Sequence, residues 1–252
     1  MSSESGFFYQ NHVRRRSPWI GPLALLLVFV VIILFISLVY RVRKIEVVNA
    51  SEYTDAQIIA ASGIQTGGNL FFMDRFTAAS LIFSNLHYME EVSIQRKLPD
   101  TIVIQAKGTA ASAWMEVGGE CWLIDRVGVM LEPVSPTEAQ SYTEIRGLET
   151  SSPLEGEPML VDDANAGRLQ ATCALLTALI GEDMLKDVSY IDVTKPEAPV
   201  FAYQGRLTVY PGDVTEADYV MALFKDAVSK LSPGDTGILT NSGDGKWTYS
   251  PD

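Results

Sequence analysis

The sequence has little of the chemistry that metal binding and catalysis require. Its 252 residues include two histidines and two cysteines. His87 is the histidine beyond residue 40, and a single imidazole without neighbouring ligands at suitable spacing does not form a zinc site. A Gly-x-Ser-x-Gly elbow and a phosphate-binding glycine loop with its Lys-Ser or Lys-Thr pair are also missing. We therefore predict no catalytic residue, no metal site and no cofactor.

Adjacent carboxylates are the remaining candidates for acid–base chemistry. They occur at Glu90-Glu91 and at Asp162-Asp163. Neighbouring acids in loops usually form a solvated surface, and we favour that interpretation for both pairs. Because any two acids can converge in a folded chain, a carboxylate-based hydrolase stays open as an alternative.

Cysteine is too scarce to form a disulfide framework. We favour two buried thiols, because Cys173 lies on the apolar face of a predicted helix. A single bridge between Cys121 and Cys173 is the alternative in an oxidising compartment.

Positive charge is also in short supply. The formal net charge is −12, and residues 1–40 hold three arginines against one glutamate, so the remainder is about two charges more acidic than the whole. Such an acidic surface repels nucleic acid and anionic lipid headgroups. We therefore predict no nucleic-acid partner.

A charge-free block runs from Pro18 to Tyr40. Roughly 20 apolar residues cross the hydrocarbon core of a bilayer, and aromatic rings such as Trp19 and Tyr40 favour its interfaces. A cleaved signal peptide has a shorter apolar region of about 7–15 residues and a small-residue cleavage site, which this block lacks. The sequence therefore predicts a single transmembrane helix over residues 18–40. Three basic residues flank it on either side, so the flanking charge leaves its orientation open.

Residues 41–107 predict the order strand, helix, helix, strand, strand. Thr54 is a suitable N-cap for the first helix, which Ser62-Gly63 ends. A hairpin with its turn at residues 98–100 closes the unit. Two helices can then cover one face of a three-stranded sheet. The second helix is predicted near residues 76–86, with an apolar face of Phe76, Ala79, Phe83 and Leu86.

Residues 108–249 predict a mixed sheet with two helices. Asp125 and Gly128 occupy turn positions within a hairpin. Helical spacing of apolar residues recurs over residues 169–180 and 220–231. Strand-like alternation occurs at residues 189–193, 200–203, 206–210, 237–240 and 246–249. The predicted fold class is therefore α+β, with an N-terminal transmembrane helix and two domains after it.

The last predicted strand is a candidate binding site. We expect it at a sheet edge, where unpaired N–H and C=O groups can pair with another strand. Its residues are Lys246, Trp247, Thr248 and Tyr249, with residues 250–252 after them. Trp247 and Tyr249 share one face, so they are partner anchors if that face is outward and core residues if it is inward. The sequence leaves both alternatives open.

Several short stretches lie in an order and spacing that carry a family likeness. They are Ile45-Glu46-Val47-Val48-Asn49, Ser62-Gly63-Ile64, Gly68-Asn69-Leu70-Phe71 with Asp74, Val92-x-Ile94-x-Arg96-x-Leu98-Pro99-Asp100-Thr101-Ile102-x-Ile104, Leu123-Ile124-Asp125-x-x-Gly128-x-Met130-Leu131, Ile145-Arg146-Gly147-Leu148 and Gly205-Arg206-Leu207-x-Val209-Tyr210. Together they resemble the bacterial FtsQ/DivIB cell-division proteins across almost the whole chain.

The resemblance implies a domain order and a function. It implies a cytoplasmic tail at residues 1–17, the membrane span at 18–40, a POTRA domain (β-α-α-β-β) at 41–107, a β domain at 108–249 and a short tail at 250–252. It further implies a non-enzymatic divisome scaffold at the division septum, with its N-terminus cytoplasmic and both domains extracytoplasmic. The expected partners are FtsB/DivIC-like and FtsL-like coiled-coil membrane proteins and, indirectly, the septal peptidoglycan synthase. The resemblance also favours the terminal strand as the partner site.

Two other functions stay open at this point. A membrane-tethered cell-wall enzyme would need a catalytic constellation, which the sequence does not display. A POTRA-bearing secretion or assembly component usually carries tandem POTRA units or a β-barrel, whereas one POTRA-like unit is recognisable here.

Overall fold

The protein is an α+β chain built on two separate sheets. The computed structural model describes residues 20–243 and 245–252, so the predicted tail at residues 1–17 lies outside the described residues. The helices are α1 (Ile20–Val39), α2 (Asp55–Ser62), α3 (Arg75–Asn85), α4 (Pro136–Ala139), α5 (Asp163–Gly181) and α6 (Ala217–Ser229). The strands are β1 (Lys44–Ala50), β2 (Met89–Lys97), β3 (Thr101–Gly108), β4 (Ala113–Val117), β5 (Glu120–Ile124), β6 (Val129–Val134), β7 (Thr143–Arg146), β8 (Glu157–Pro158), β9 (Val188–Asp192), β10 (Val200–Tyr203), β11 (Leu207–Tyr210), β12 (Gly237–Asn241) and β13 (Trp247–Pro251).

The predicted transmembrane helix over Pro18 to Tyr40 is wrong. In the part of the chain that the structure describes, no helix is both long enough and apolar enough to cross a membrane. The helix in this region is α1 (Ile20–Val39). The predicted single-pass topology therefore has no support in the structure.

The first sheet has the strand order β1-β3-β2. Strand β1 runs parallel to β3, and β2 is antiparallel to β3 through the hairpin at residues 98–100. Helices α2 and α3 follow β1 in sequence, so the predicted order strand, helix, helix, strand, strand is present. The core of this unit is fully buried at Ile58 of α2, Ile82 of α3 and Ile104 of β3.

Local side-chain and backbone chemistry sets both ends of α2. The Thr54 hydroxyl accepts a hydrogen bond from the Gln57 N–H at 3.3 Å, and the Gln57 carboxamide oxygen accepts one from the Thr54 N–H at 2.8 Å. This reciprocal capping box satisfies two donors at the start of α2. Gly63 ends α2 in the left-handed conformation at φ 66°, which glycine adopts without a Cβ clash. The predicted cap and stop are confirmed.

The predicted inward face of α3 is wrong at its first residue. Asp74 caps the helix by accepting from the N–H groups of Phe76 and Thr77, so α3 begins at Arg75. The resulting phase buries Ala78 and Ile82, while the Phe76 ring is 81% exposed. The other residues of the predicted face, Ala79, Phe83 and Leu86, pack in or against the core, so the error is confined to the first turn.

The second sheet has ten strands in the order β13-β12-β11-β10-β9-β7-β4-β5-β6-β8. Pairs β4–β7, β7–β9 and β11–β12 are parallel and the other pairs are antiparallel, so the predicted mixed sheet is present. Helices α5 and α6 contribute to its core, and the short α4 is an addition to the two predicted helices. The Phe224 ring of α6 stands edge-on to the rings of Phe201 and Tyr203, each 5.3 Å away between centroids.

We expect Ile104→Ala to lower the free energy of unfolding of the first unit by about 2–5 kcal/mol, because it leaves a cavity at a fully buried position. Gln105→Ala, on the opposite and exposed face of β3, is the control and should change it by less than about 0.5 kcal/mol. Urea unfolding of both variants measures this, and equal effects would show that the strand register is wrong.

Candidate partner-binding site

The predicted binding strand lies at one edge of the ten-stranded sheet. Strand β13 pairs with β12 and is the terminal strand of the sheet order. It covers Trp247–Pro251, so it begins one residue later and ends two residues later than predicted. Lys246 directly precedes it.

The backbone groups of β13 divide between its neighbour and the open edge. The Lys246 carbonyl accepts from the Ser242 N–H at 3.0 Å, and the Asp252 N–H donates to the Thr236 carbonyl at 3.3 Å. Hydrogen-bonded positions alternate along an antiparallel pair, so the groups of every second residue face β12. The intervening residues, Trp247 and Tyr249, therefore direct their N–H and C=O groups away from the sheet.

The side chains of the strand divide between the two faces of the sheet. Trp247 and Tyr249 are half-buried and pack against the core cluster. The Trp247 ring lies 5.2 Å from the Phe224 ring between centroids, and the Tyr249 hydroxyl donates to the Thr236 carbonyl at 2.8 Å. Burial raises the pKa of Tyr249, and the carboxylates of Asp235 and Asp252 add to the effect. The two rings thus occupy the inward face, and the exposed Thr248 side chain occupies the outward one.

Gly237, which the sequence pattern indicates only as the start of a strand, allows β13 to approach β12 closely. A Cβ atom at this position would lie 2.2 Å from the Ser250 carbonyl oxygen. The Gly237 φ of 148° is also one that other residues rarely adopt. A glycine at the first residue of an edge-pairing strand is the sequence signal that could have indicated this close approach.

The structure places the residues considered for other chemistry apart from this edge. His87 Nδ1 lies 3.4 Å from Glu155 Oε2. Asp162 caps α5 by accepting from the Asn165 N–H at 2.9 Å, and Glu90 binds basic side chains. Across residues 20–243 and 245–252, no group of three or more His, Cys, Asp or Glu residues is arranged to hold a metal ion.

Both cysteines are free thiols. Burial, with a contribution from the nearby Asp125 carboxylate, raises the pKa of the Cys173 thiol to about 11. The thiolate is the reactive form, so a raised pKa lowers reactivity at neutral pH.

We therefore expect Cys173 in the folded protein to resist alkylation by iodoacetamide at pH 8 and to react fully once the chain is unfolded in urea. Peptide mass spectrometry measures both fractions. Rapid modification of folded protein at pH 8 would contradict a protonated, half-buried thiol.

Comparison with known proteins agrees with the fold of the first sheet and its two helices. Residues 40–107, which hold the β1-β3-β2 sheet and its two helices, match the model of the POTRA domain of the FtsQ type. The chain resembles the FtsQ and DivIB cell-division proteins.

Three relatives illustrate the likeness. The cell division protein DivIB of Clostridium tetani is 28% identical over 120 residues, 48% of this chain and 45% of the relative. The cell division protein FtsQ of Koribacter versatilis is 31% identical over 137 residues, 53% of this chain and 38% of the relative. The FtsQ of Corynebacterium glutamicum is 24% identical over 178 residues, 71% and 73% of the two chains. The chain thus spans less than two thirds of the length of the first two.

Trp247→Ala should separate the core role of this ring from an exposed anchor role. We expect it to lower the free energy of unfolding by about 2 kcal/mol, because a half-buried ring in contact with Phe224 is lost. Thr248→Ala, on the outward face of the same strand, should change it by less than about 0.5 kcal/mol. Thermal unfolding of both variants tests this, and a Trp247→Ala protein as stable as the parent would place the ring outside the core.

Proposed function

We propose that this chain is a non-enzymatic cell-division protein that acts at the division septum by binding other division proteins. Two observations support the proposal: the FtsQ-type POTRA match over residues 40–107 and the resemblance to proteins named for cell division. Within it we assign a POTRA domain to residues 41–107, a β domain to residues 108–249 and a short tail to residues 250–252. The POTRA domain would serve recruitment and the β domain partner binding.

The single observation that carries the binding mechanism is the open edge of β13. Trp247 and Tyr249 direct their backbone N–H and C=O groups away from the sheet. These outward groups form a template for an added strand. A partner strand would extend the ten-stranded sheet, with main-chain hydrogen bonds setting its register and alternate side chains setting its specificity. The partners we propose are FtsB/DivIC-like and FtsL-like coiled-coil division proteins, which would connect the chain to septal peptidoglycan synthesis.

The two faces of β13 would make different contributions to this complex. Trp247 and Tyr249 pack inward, so they support the strand and do not contact the partner through their rings. Lys246 and Thr248 lie on the exposed face. Side chains of the added strand that point to this face would lie beside Lys246 and Thr248, because neighbouring strands align their side chains on the same side of a sheet.

Strand addition predicts a difference between two substitutions at one position. Tyr249→Ala removes the side chain, whereas Tyr249→Pro removes the side chain and also the outward N–H. Proline is tolerated at a sheet edge where the missing N–H faces away from the neighbouring strand. We therefore expect equal melting temperatures for the two variants and about tenfold weaker partner binding by Tyr249→Pro than by Tyr249→Ala.

Titration calorimetry with the soluble part of an FtsB/DivIC-like protein from the same bacterium measures the binding. Equal affinities of two equally stable variants would exclude strand addition at this edge. A fluorescent fusion of the full chain tests the cell-division role separately: it should collect at midcell, and a fusion spread evenly over the cell would contradict that role whatever the binding result.

A further inference from the structure

In the part of the chain that the structure describes, the two sheets are joined without a shared hydrophobic core. The apolar cluster of the first unit and that of the ten-stranded sheet have no residue in common. The connection between β3 and β4 is residues 109–112. Units that lack a large apolar interface are expected to move relative to one another unless other contacts hold them. Hydrogen bonds and ion pairs connect the two units.

Glu90 of β2 provides the central contact. Its Oε1 accepts from Arg126 Nη2 at 2.5 Å across the junction and from Lys107 Nζ at 2.8 Å within its own sheet. The hydrogen bond from Lys107 lowers the pKa of Glu90, and Arg126 adds to that effect. The Glu90 and Arg126 side chains are 21% and 32% exposed, so solvent reaches the pair and salt partly screens its attraction. Lys107 holds the Glu90 carboxylate in place for Arg126.

Tyr88 and Thr109 make two further contacts across the junction. The Tyr88 hydroxyl donates to the Glu132 carboxylate of β6. Burial raises the pKa of Tyr88, and this hydrogen bond adds to the effect. In the connecting segment, the Thr109 N–H donates to the Tyr88 carbonyl at 3.2 Å, while its hydroxyl donates to Asp125 Oδ2 at 3.1 Å. One threonine therefore binds both sides of the junction.

Gly156 allows close contact at the rim of the junction. Its N–H donates to the Met130 carbonyl at 2.7 Å, which fixes the loop that carries it to β6. A Cβ atom on Gly156 would lie 3.0 Å from Cδ2 of His87. His87 and Gly156 are thus packed as closely as a residue without a side chain permits.

We propose that these contacts form a salt-sensitive latch, the polar seam, which fixes the orientation of the POTRA unit against the ten-stranded sheet and can open without unfolding either. The polar seam comprises Tyr88 and Glu90 on one side and Arg126 and Glu132 on the other. Its opening would exchange a paired, partly buried carboxylate for a solvated one while both hydrophobic cores stay intact. Because it involves no partner, this inference is independent of the proposed function.

Two variants that each remove one positive charge beside Glu90 test the latch in the full chain. Arg126→Gln removes the contact across the junction, and Lys107→Gln removes only the contact within the first sheet. Hydrogen–deuterium exchange by mass spectrometry should show about threefold or faster exchange in peptides covering residues 86–91 and 126–132 for Arg126→Gln, with no change in α5. Lys107→Gln should show less than half of this increase.

Salt supplies a second readout. Raising sodium chloride from about 0.1 M to about 1 M shortens the screening length from about 10 Å to about 3 Å. Exchange at the same peptides should rise in the parent protein and change little further in Arg126→Gln. Parent and Arg126→Gln proteins that exchange alike at both salt concentrations would overturn the proposal, as would equal effects of the two charge variants.

Two glycine variants separate loosening of the polar seam from general strain. Gly156 and Gly118 both have positive φ, 76° and 62°, so an alanine strains the backbone at each. A Cβ at Gly118 meets nothing within 4 Å, whereas one at Gly156 presses on His87. Gly156→Ala should therefore increase exchange at the polar seam and Gly118→Ala should not. Equal exchange at the polar seam in Gly156→Ala and Gly118→Ala would contradict a closed latch.

Discussion

The carboxylate of Asp125 connects the β5–β6 turn to the segment between the two sheets, and the arrangement of the junction depends on it. It is fully buried, and its Oδ1 accepts from the N–H groups of Val127 and Val129 at 2.9 and 2.8 Å. Its other oxygen accepts from the Thr109 hydroxyl. A carboxylate is placed in a protein interior at little cost only when such hydrogen bonds replace its water. The β5–β6 turn, the connecting segment and the position of Arg126 in the polar seam all follow from this one group.

The two edge strands of the ten-stranded sheet differ in how many backbone groups they offer to another strand. One edge ends in β8, a two-residue strand that contains Glu157 and Pro158. A very short strand with a charge and a proline offers few groups to another chain, which is how natural sheets avoid unwanted pairing. The opposite edge ends in the five-residue β13, which directs the backbone groups of Trp247 and Tyr249 outward and has a proline only at its last residue, Pro251. A chain that protects one edge and leaves the other available is consistent with a binding role for β13.

Sequence reasoning succeeded where local chemistry determines structure. The Thr54 cap, the Gly63 stop and the turn at residues 98–100 follow from interactions within a few residues, and each is present. It failed at Phe76, in the first turn of α3, because packing against the sheet and not the periodic pattern decides which side chains of a helix are covered. It also failed at residues 18–40, because in the described part of the chain no helix is both long enough and apolar enough to cross a membrane.

In the candidate site, too, the features set by local sequence could be predicted and those set by distant packing could not. Its place at a sheet edge could be predicted from the order of turns and strands along the chain. Its inward face could not, because that depends on Phe224, which lies more than twenty residues earlier and packs against the Trp247 ring. The polar seam was beyond reach for the same reason: Glu90 and Arg126 are 36 residues apart and meet only in the folded chain.

The geometry of β13 also limits what its backbone alone can do for a partner. Trp247 and Tyr249 each offer an outward N–H and C=O, and Pro251, the next outward position, has no N–H to offer. Each hydrogen bond contributes about 0.5–1.5 kcal/mol net. Association costs roughly 4–15 kcal/mol in lost translational and rotational freedom. Main-chain pairing of this length therefore sets direction and register, and a stable complex needs additional side-chain burial on the exposed face beside Thr248.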